Sequence, residues 1–311
     1  MKMDFSIIIP TYNRREILLK CLQTLDELNY DKNRFEVIVV DDGSDDKTDQ
    51  MVWDFAEDSD MSIEYFYQEN KGQGNARNLG LNHAKGDVVV FIGDDIIVCP
   101  DFLKEHMRVH KNHPEENAAC LGFIEWHPDL NITTFMNWLT NGSSVLGKFG
   151  GHQFAFEKLQ GKDEADYNFF YTSNISLKRS LLMREKFDSK FNCYGWEDIE
   201  LGFRLQKKHG LRLYYNKDAV AYHLHEILEE SLEKRMLMVG KSIHLIDAIH
   251  PELRKSPSFW KLLTFRILSS APSLTTLKVM KRDDGGVFSD LFFYALSKKY
   301  FLQGFYEGFN K

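Results

Sequence analysis

The stretch VVVFIGDDIIVCPDF, residues 88–102, runs an apolar segment directly into two adjacent carboxylates, Asp94 and Asp95. Val and Ile follow one another there without polar alternation, the pattern of a strand covered on both faces. The same pattern occurs in FSIIIP (5–10), FEVIVV (35–40) and, with more aromatic residues, IEYFYQ (63–68). Helical periodicity separates these runs. Ile17, Leu18, Cys21, Leu22, Leu25 and Leu28 recur at the spacing of one helix face, Val52 and Phe55 mark a second helix after the turn-forming DDGSDD, and GNARNLGLNHA (74–84) is a third. Strands alternating with helices predict an α/β fold with a mainly parallel sheet.

In an open parallel sheet the ligand site lies just outside the carboxyl ends of the strands. That edge collects Pro10, Thr11, Tyr12 and Asn13 after the first strand, Asp41 and Asp42 after the second, and Asp94 and Asp95 after Ile92. Each cluster taken alone is also an ordinary turn or helix-cap sequence. Together they place like charges after two strands of one sheet, where repulsion is costly unless a cation or hydrogen-bond donors offset it. A hard divalent cation does so, and it commonly arrives with a phosphate.

The 311 residues are enough for one large core or two modest ones, and the net charge of −7 argues against a general nucleic-acid binder. The opening apolar run is too short for a signal peptide and is interrupted by Pro10. No run approaches the roughly 20 apolar residues of a membrane span. Cys21, Cys99, Cys120 and Cys193 are widely separated and form no CxxC pair, so reduced thiols in a cytoplasmic protein are expected.

SIIIPTYNRREIL, VIVVDDGSDDKT, ENKGQGNARNLGL, VVVFIGDDIIVCPDFL and GWEDIELGFRL, in that order, resemble the successive motifs of family 2 glycosyltransferases, which have the GT-A fold. The likeness runs from about Ser6 to about His225. It implies a catalytic domain over 1–226, with its nucleotide-binding half near 1–100 and its acceptor half near 101–226, and a helical extension over 227–311. It implies transfer of a sugar, with inversion, from a nucleotide-sugar (UDP-sugar being the commonest donor) to an acceptor hydroxyl with Mg²⁺ or Mn²⁺. The acceptor expected is a saccharide or a lipid-linked glycan of surface polysaccharide or glycoconjugate synthesis.

Carried over by motif, the PTYN turn and Asp42 would hold base and ribose, Asp41 would shape that pocket, and Arg77 would face the base or its carboxylate partners. Asp95 matches the last acid of the family's Asp-x-Asp motif and is the expected metal ligand; Asp94 matches the middle position. Gly93 stands where the first acid belongs. Glu197 and Asp198 open a helix, where carboxylates are also good capping residues. Inverting transfer needs one general base, and Asp198 matches that position, with Glu197 toward an acceptor hydroxyl. His223 and His225 lie two apart on one strand face; His223 is the expected third ligand, with His225 the alternative.

Trp126, Trp138, Phe149 and Phe154 are either sugar-stacking faces or core, and Thr172, Ser173 and Asn174 are candidate hydroxyl contacts. A nicotinamide dehydrogenase is disfavoured because PTYNRR, and not GxGxxG, follows the first strand. A sugar-1-phosphate nucleotidyltransferase and a non-catalytic nucleotide-sugar-binding protein are the alternatives. Residues 254–282 carry seven Lys or Arg and no acid, interleaved with Phe259, Trp260, Leu262, Leu263, Phe265, Ile267 and Leu268. That segment reads either as a cap packed inward or as a peripheral contact with the inner face of a membrane.

Overall fold

The computed structural model describes residues 2–143, 153–191 and 195–309. Two compact units are present. The first comprises Met1–Pro128, Leu159–Asn192 and Glu197–His225; the second comprises Asp129–Lys158, Cys193–Trp196 and Glu226–Lys311.

Unit one opens with β1 (Phe5–Thr11), α1 (Arg15–Asp26), β2 (Phe35–Asp41), α2 (Thr48–Asp58), β3 (Ser62–Tyr67), α3 (Gln73–His83), β4 (Val88–Ile92), β5 (Ile96–Val98), α4 (Phe102–Asn112) and β6 (Ala118–Trp126). The chain passes through α5 (Thr134–Asn141) of unit two and returns as β7 (Glu164–Ala165), β8 (Asn174–Lys178), α6 (Arg179–Arg184), α7 (Glu197–His209) and β9 (Arg212–His223). The sheet order is β3-β2-β1-β4-β8-β6-β9-β5, with β7 beside β9. β1, β2, β3 and β4 pair in parallel, β8 runs antiparallel to β4 and β6, and β9 is parallel to β6. Every residue of β1, β2 and β4 is buried, as their unbroken apolar runs require.

Leu18, Cys21, Leu22 and Leu25 form the buried stripe of α1 and join the core with Ile7, Ile9, Val37, Val39 and Val90. Each such aliphatic side chain contributes about 1.5–3 kcal/mol on burial. On the other face, a Cβ at Gly80 of α3 would lie 2.6 Å from Ile8 Cγ2, so only glycine lets that helix sit this close to the sheet.

Under the second half of the sheet lies a buried polar knot. Asn174 donates to the carbonyls of Phe123 (3.0 Å) and Ala219 (2.9 Å), and its Oδ1 is 2.9 Å from His106 Nε2. Ser176 Oγ is 2.8 Å from both His106 Nδ1 and His110 Nε2. Asn174 is therefore a fastener that ties β8 to β6 and to the bulge of β9, whose residues 217–219 stand unpaired beside the Gly122–Phe123 step of β6, not a contact for an acceptor hydroxyl.

Burial pushes His106 down to about 4 and His110 to about 3. Both folded values lie below the ordinary histidine value near 6.5. Unfolded chains therefore bind protons that the folded chain refuses between about pH 6.5 and pH 3–4, and acid favours unfolding across that window. At pH 5 the cost is about 2 kcal/mol for each histidine. Thermal midpoints measured at pH 5 and pH 7.5 should differ by several degrees, and His110→Gln should narrow that gap; an unchanged gap would refute the assignment.

Unit two adds α8 (Ser231–Ile249), α9 (Phe259–Leu268), α10 (Ala271–Met280) and α11 (Val287–Phe309). α8 and α11 cross at glycines: a Cβ at Gly304 would lie 2.1 Å from the carbonyl of Leu237, and one at Gly240 2.3 Å from that of Phe301. Phe135 and Trp138 of α5 pack on Phe293 of α11. Trp138 and Phe154 are thus core residues, buried from any ligand; Phe149 lies outside the described residues.

Candidate active site

Parallel pairing in register brings the ends of β1 and β2 level, with Pro10 opposite Val40 and Thr11 opposite Asp41. Asn13 adopts a left-handed backbone (φ 52°) and links the two turns: its N–H donates to Ser44 Oγ (2.8 Å) and its Oδ1 accepts from Asp45 N (2.8 Å). Tyr12 is half exposed beside them.

The acids at the end of β2 are both buried, and each accepts three hydrogen bonds from the protein. Asp41 accepts from Gly43 N, Ser44 N and the Tyr65 hydroxyl at 3.1, 2.7 and 2.8 Å. Asp42 accepts from Gln68 Nε2, Lys71 N and Gly72 N at 2.6, 2.8 and 2.9 Å. Asp41 shapes its own turn, while Asp42 holds the loop that leads from β3 into α3.

Asp94 and Asp95 sit after β4, and both are buried. Their repulsion is offset by a residue that sequence reasoning passed over. Arg14 Nη1 lies 2.7 Å from Asp94 Oδ1, and Nη2 lies 3.0 Å from Asp95 Oδ2. Thr11 Oγ1 donates to Asp94 Oδ2 at 2.8 Å. The available signal was charge: Arg14 directly follows the PTYN turn, at the one edge where two acids need a counter-ion. Burial and the neighbouring carboxylate push Asp94 up to about 7 despite Arg14. Burial acts to raise Asp95 as well, but His223 and Arg14 outweigh it and hold that carboxyl below its usual range.

A histidine is brought to Asp95 by topology. β9 lies between β6 and β5, so His223 faces Ile96 on one side and Trp126 on the other. Its Nε2 comes to 3.5 Å from Asp95 Oδ2. His225 is exposed, its ring centre 6.0 Å from that of His223.

Asp95 and His223 suit a divalent cation. Two donors that share an ion at about 2.1 Å stand about 3 Å apart at a right angle and about 3.5 Å apart at a tetrahedral one. Arg14 already puts positive charge at this position. No group of three His, Cys, Asp or Glu side chains that could hold a metal ion is found among the described residues. A Cβ at Gly93 would come within 2.9 Å of Asp95 Oδ1, so an acid there would require that carboxylate to shift.

A second acid pair opens α7. Gln73 Nε2 donates to Glu197 Oε1, a link from α3 that no local motif signals. Asp198 Oδ1 accepts from Ile199 N at 2.8 Å, and burial together with Glu197 pushes it up to about 7, with Arg77 pulling the other way. Arg77 is buried, with its Nη2 3.2 Å from Gln73 Oε1 and no partner for Nε or Nη1 among the described residues. Burial lowers its pKa, and the fields of Glu197, Asp198 and Asp94 raise it. Arg77 therefore stands electrostatically between the two acid pairs.

The model of the family described as Glycosyl transferase family 2 matches residues 6–182, more than half of the chain. The chain belongs to glycosyl transferase family 2. Among relatives, it is 28% identical over 260 residues to the uncharacterized glycosyltransferase YfnE of Bacillus subtilis, covering 71% of this chain and 64% of that protein. It is 27% identical over 290 residues to the GalNAc(5)-diNAcBac-PP-undecaprenol beta-1,3-glucosyltransferase of Campylobacter jejuni, covering 88% and 91%. The chain spans less than two thirds of the length of the first curated relatives it matches. The mannosyltransferase PcManGT of Pyrobaculum calidifontis, solved with GDP-Man and Mn2+, superposes with a TM-score of 0.65 at 17% identity, over 99% of this chain and 88% of that one. At that identity the match establishes the fold, the expected GT-A architecture.

Proposed function

We propose that this family 2 protein transfers a sugar from a nucleoside-diphosphate sugar to an acceptor hydroxyl with inversion. The observation that carries the proposal is the pairing of acids at one sheet edge: Asp94 and Asp95 gathered around Arg14 and His223, and Asp198, with its raised pKa, beside Glu197 and Arg77. Asp95 and His223 would hold Mn²⁺ or Mg²⁺, which when bound neutralises charge on the diphosphate. The PTYN turn, Asp41, Asp42 and Arg77 line the nucleotide side. As the acceptor oxygen bonds to the anomeric carbon, the bond from that carbon to the diphosphate breaks and Asp198 takes the hydroxyl proton. Glu197 orients the same hydroxyl.

A lipid-linked or saccharide acceptor is supported by the undecaprenol-linked substrate in the name of the Campylobacter relative. A catalytic domain over 1–226, a helical extension over 227–311 and a cytoplasmic location belong to the same proposal. Among the described residues no helix is long and apolar enough to cross a membrane, and Cys21, Cys99 and Cys120 are free.

Titration calorimetry of UDP, GDP, CDP and ADP, each with and without Mn²⁺, tests the reading. One diphosphate should bind at least about tenfold tighter with metal, as a factor of ten corresponds to about 1.4 kcal/mol of metal–diphosphate contact. Absence of metal-sensitive binding across the panel would overturn it.

A further inference from the structure

We propose that the surface formed by α9 and α10 docks on an anionic lipid membrane. Neither helix contains a buried residue. Phe259 and Trp260 are 72% and 73% exposed, and Leu263, Ile267, Val279 and Met280 are exposed as well. At about 100° per residue, Phe259, Trp260, Leu263 and Ile267 share one side of α9. The opposite side is already used: Phe265 meets Tyr294 and Phe301 of α11 edge-on. The inward-packing cap expected as one reading of this segment therefore accounts for only half of the helix.

Charge selects the occupant. Residues 254–282 carry seven cations and no acid in a chain whose net charge is −7. Lys261 and Arg266 flank the apolar stripe of α9 on either side, and Lys278 is exposed on α10. Other contacts inside the unit engage Lys281 with Glu229 at 2.8 Å, Arg282 with Asp284 at 2.7 Å and Lys255 over the Trp196 ring at 5.6 Å, and Arg266 also lies over the Tyr306 ring at 5.0 Å. Aromatic side chains bordered by Lys and Arg suit the boundary between acyl chains and headgroups, with the cations over lipid phosphates. A second copy of the chain seated on this face by two-fold symmetry would set like charges against each other.

Co-sedimentation with vesicles tests the proposal on the full chain. At low salt the protein should pellet with mixed phosphatidylglycerol–phosphatidylcholine vesicles, remain in the supernatant with phosphatidylcholine alone, and be released as salt rises. Lys261→Gln/Arg266→Gln/Lys278→Gln should reduce partition roughly a hundredfold. Phe259→Ser/Trp260→Ala should also abolish pelleting without moving the thermal midpoint, because both side chains are largely exposed and meet each other edge-on. Overturning results are wild-type protein left in the supernatant, equal binding to neutral vesicles, or full binding by either variant. Light scattering that shows a dimer dispersed by Phe259→Ser/Trp260→Ala, with no vesicle binding, would assign the face to a second copy instead.

Discussion

Asp198→Asn should lower kcat by a factor of about 10²–10⁴ while nucleotide affinity stays within a few-fold, since a positioned base typically contributes that much. The substitution keeps the shape and the contact with Ile199 N but removes the proton acceptor. Burial and Glu197 set the carboxyl near 7 in the free enzyme, so kcat/KM should fall tenfold per pH unit below about pH 7 and level off above it, because only the ionised form accepts the proton. The variant's residual rate should lose that dependence. Turnover above about a tenth of wild type, or a pH profile shared by both proteins, would remove Asp198 from the role and leave it as a helix-capping acid.

Asp95→Ala should erase the gain in diphosphate affinity that Mn²⁺ confers, while Asp94→Ala erases it only in part. The two acids differ in their surroundings. Both pair with Arg14, but Asp95 Oδ2 is also approached by His223 Nε2, whereas the second oxygen of Asp94 accepts from Thr11. Loss of Asp95 leaves Arg14 paired with Asp94, so the fold should survive, which circular dichroism can verify. Calorimetry with and without metal decides the matter: equal and mild losses in the two variants would place the cation elsewhere.

Local chemistry made the strands, the helices and the acidic turns legible. Val and Ile runs in β1, β2 and β4 have one stable fate, a sheet covered on both faces, and the α1 stripe has one spacing. The rule for parallel sheets then puts Thr11, Asp41 and Asp94 on one edge, where the register leaves the first two level. The five motifs in order pointed to the family, since each is a short local stretch that can be read without knowing what it folds against.

Long-range partners were not legible, because they depend on which strands become neighbours. Insertion of β9 between β6 and β5 brings His223 to Asp95 across more than a hundred residues. Asn174, a polar residue, belongs to the sheet interior because a bulge in β9 leaves carbonyls of β6 and β9 that need donors. Arg14 and Gln73 carry no signature as isolated letters; their roles arise only where Asp94, Asp95 and Glu197 are folded against them. Composition alone could not say whether the basic aromatic segment faces inward or outward. The packing of α11 decided it by covering Phe265 and leaving Trp260 in solvent. Residue type fixes what a side chain can do, and burial and neighbours, which exist only in the tertiary structure, fix what it does.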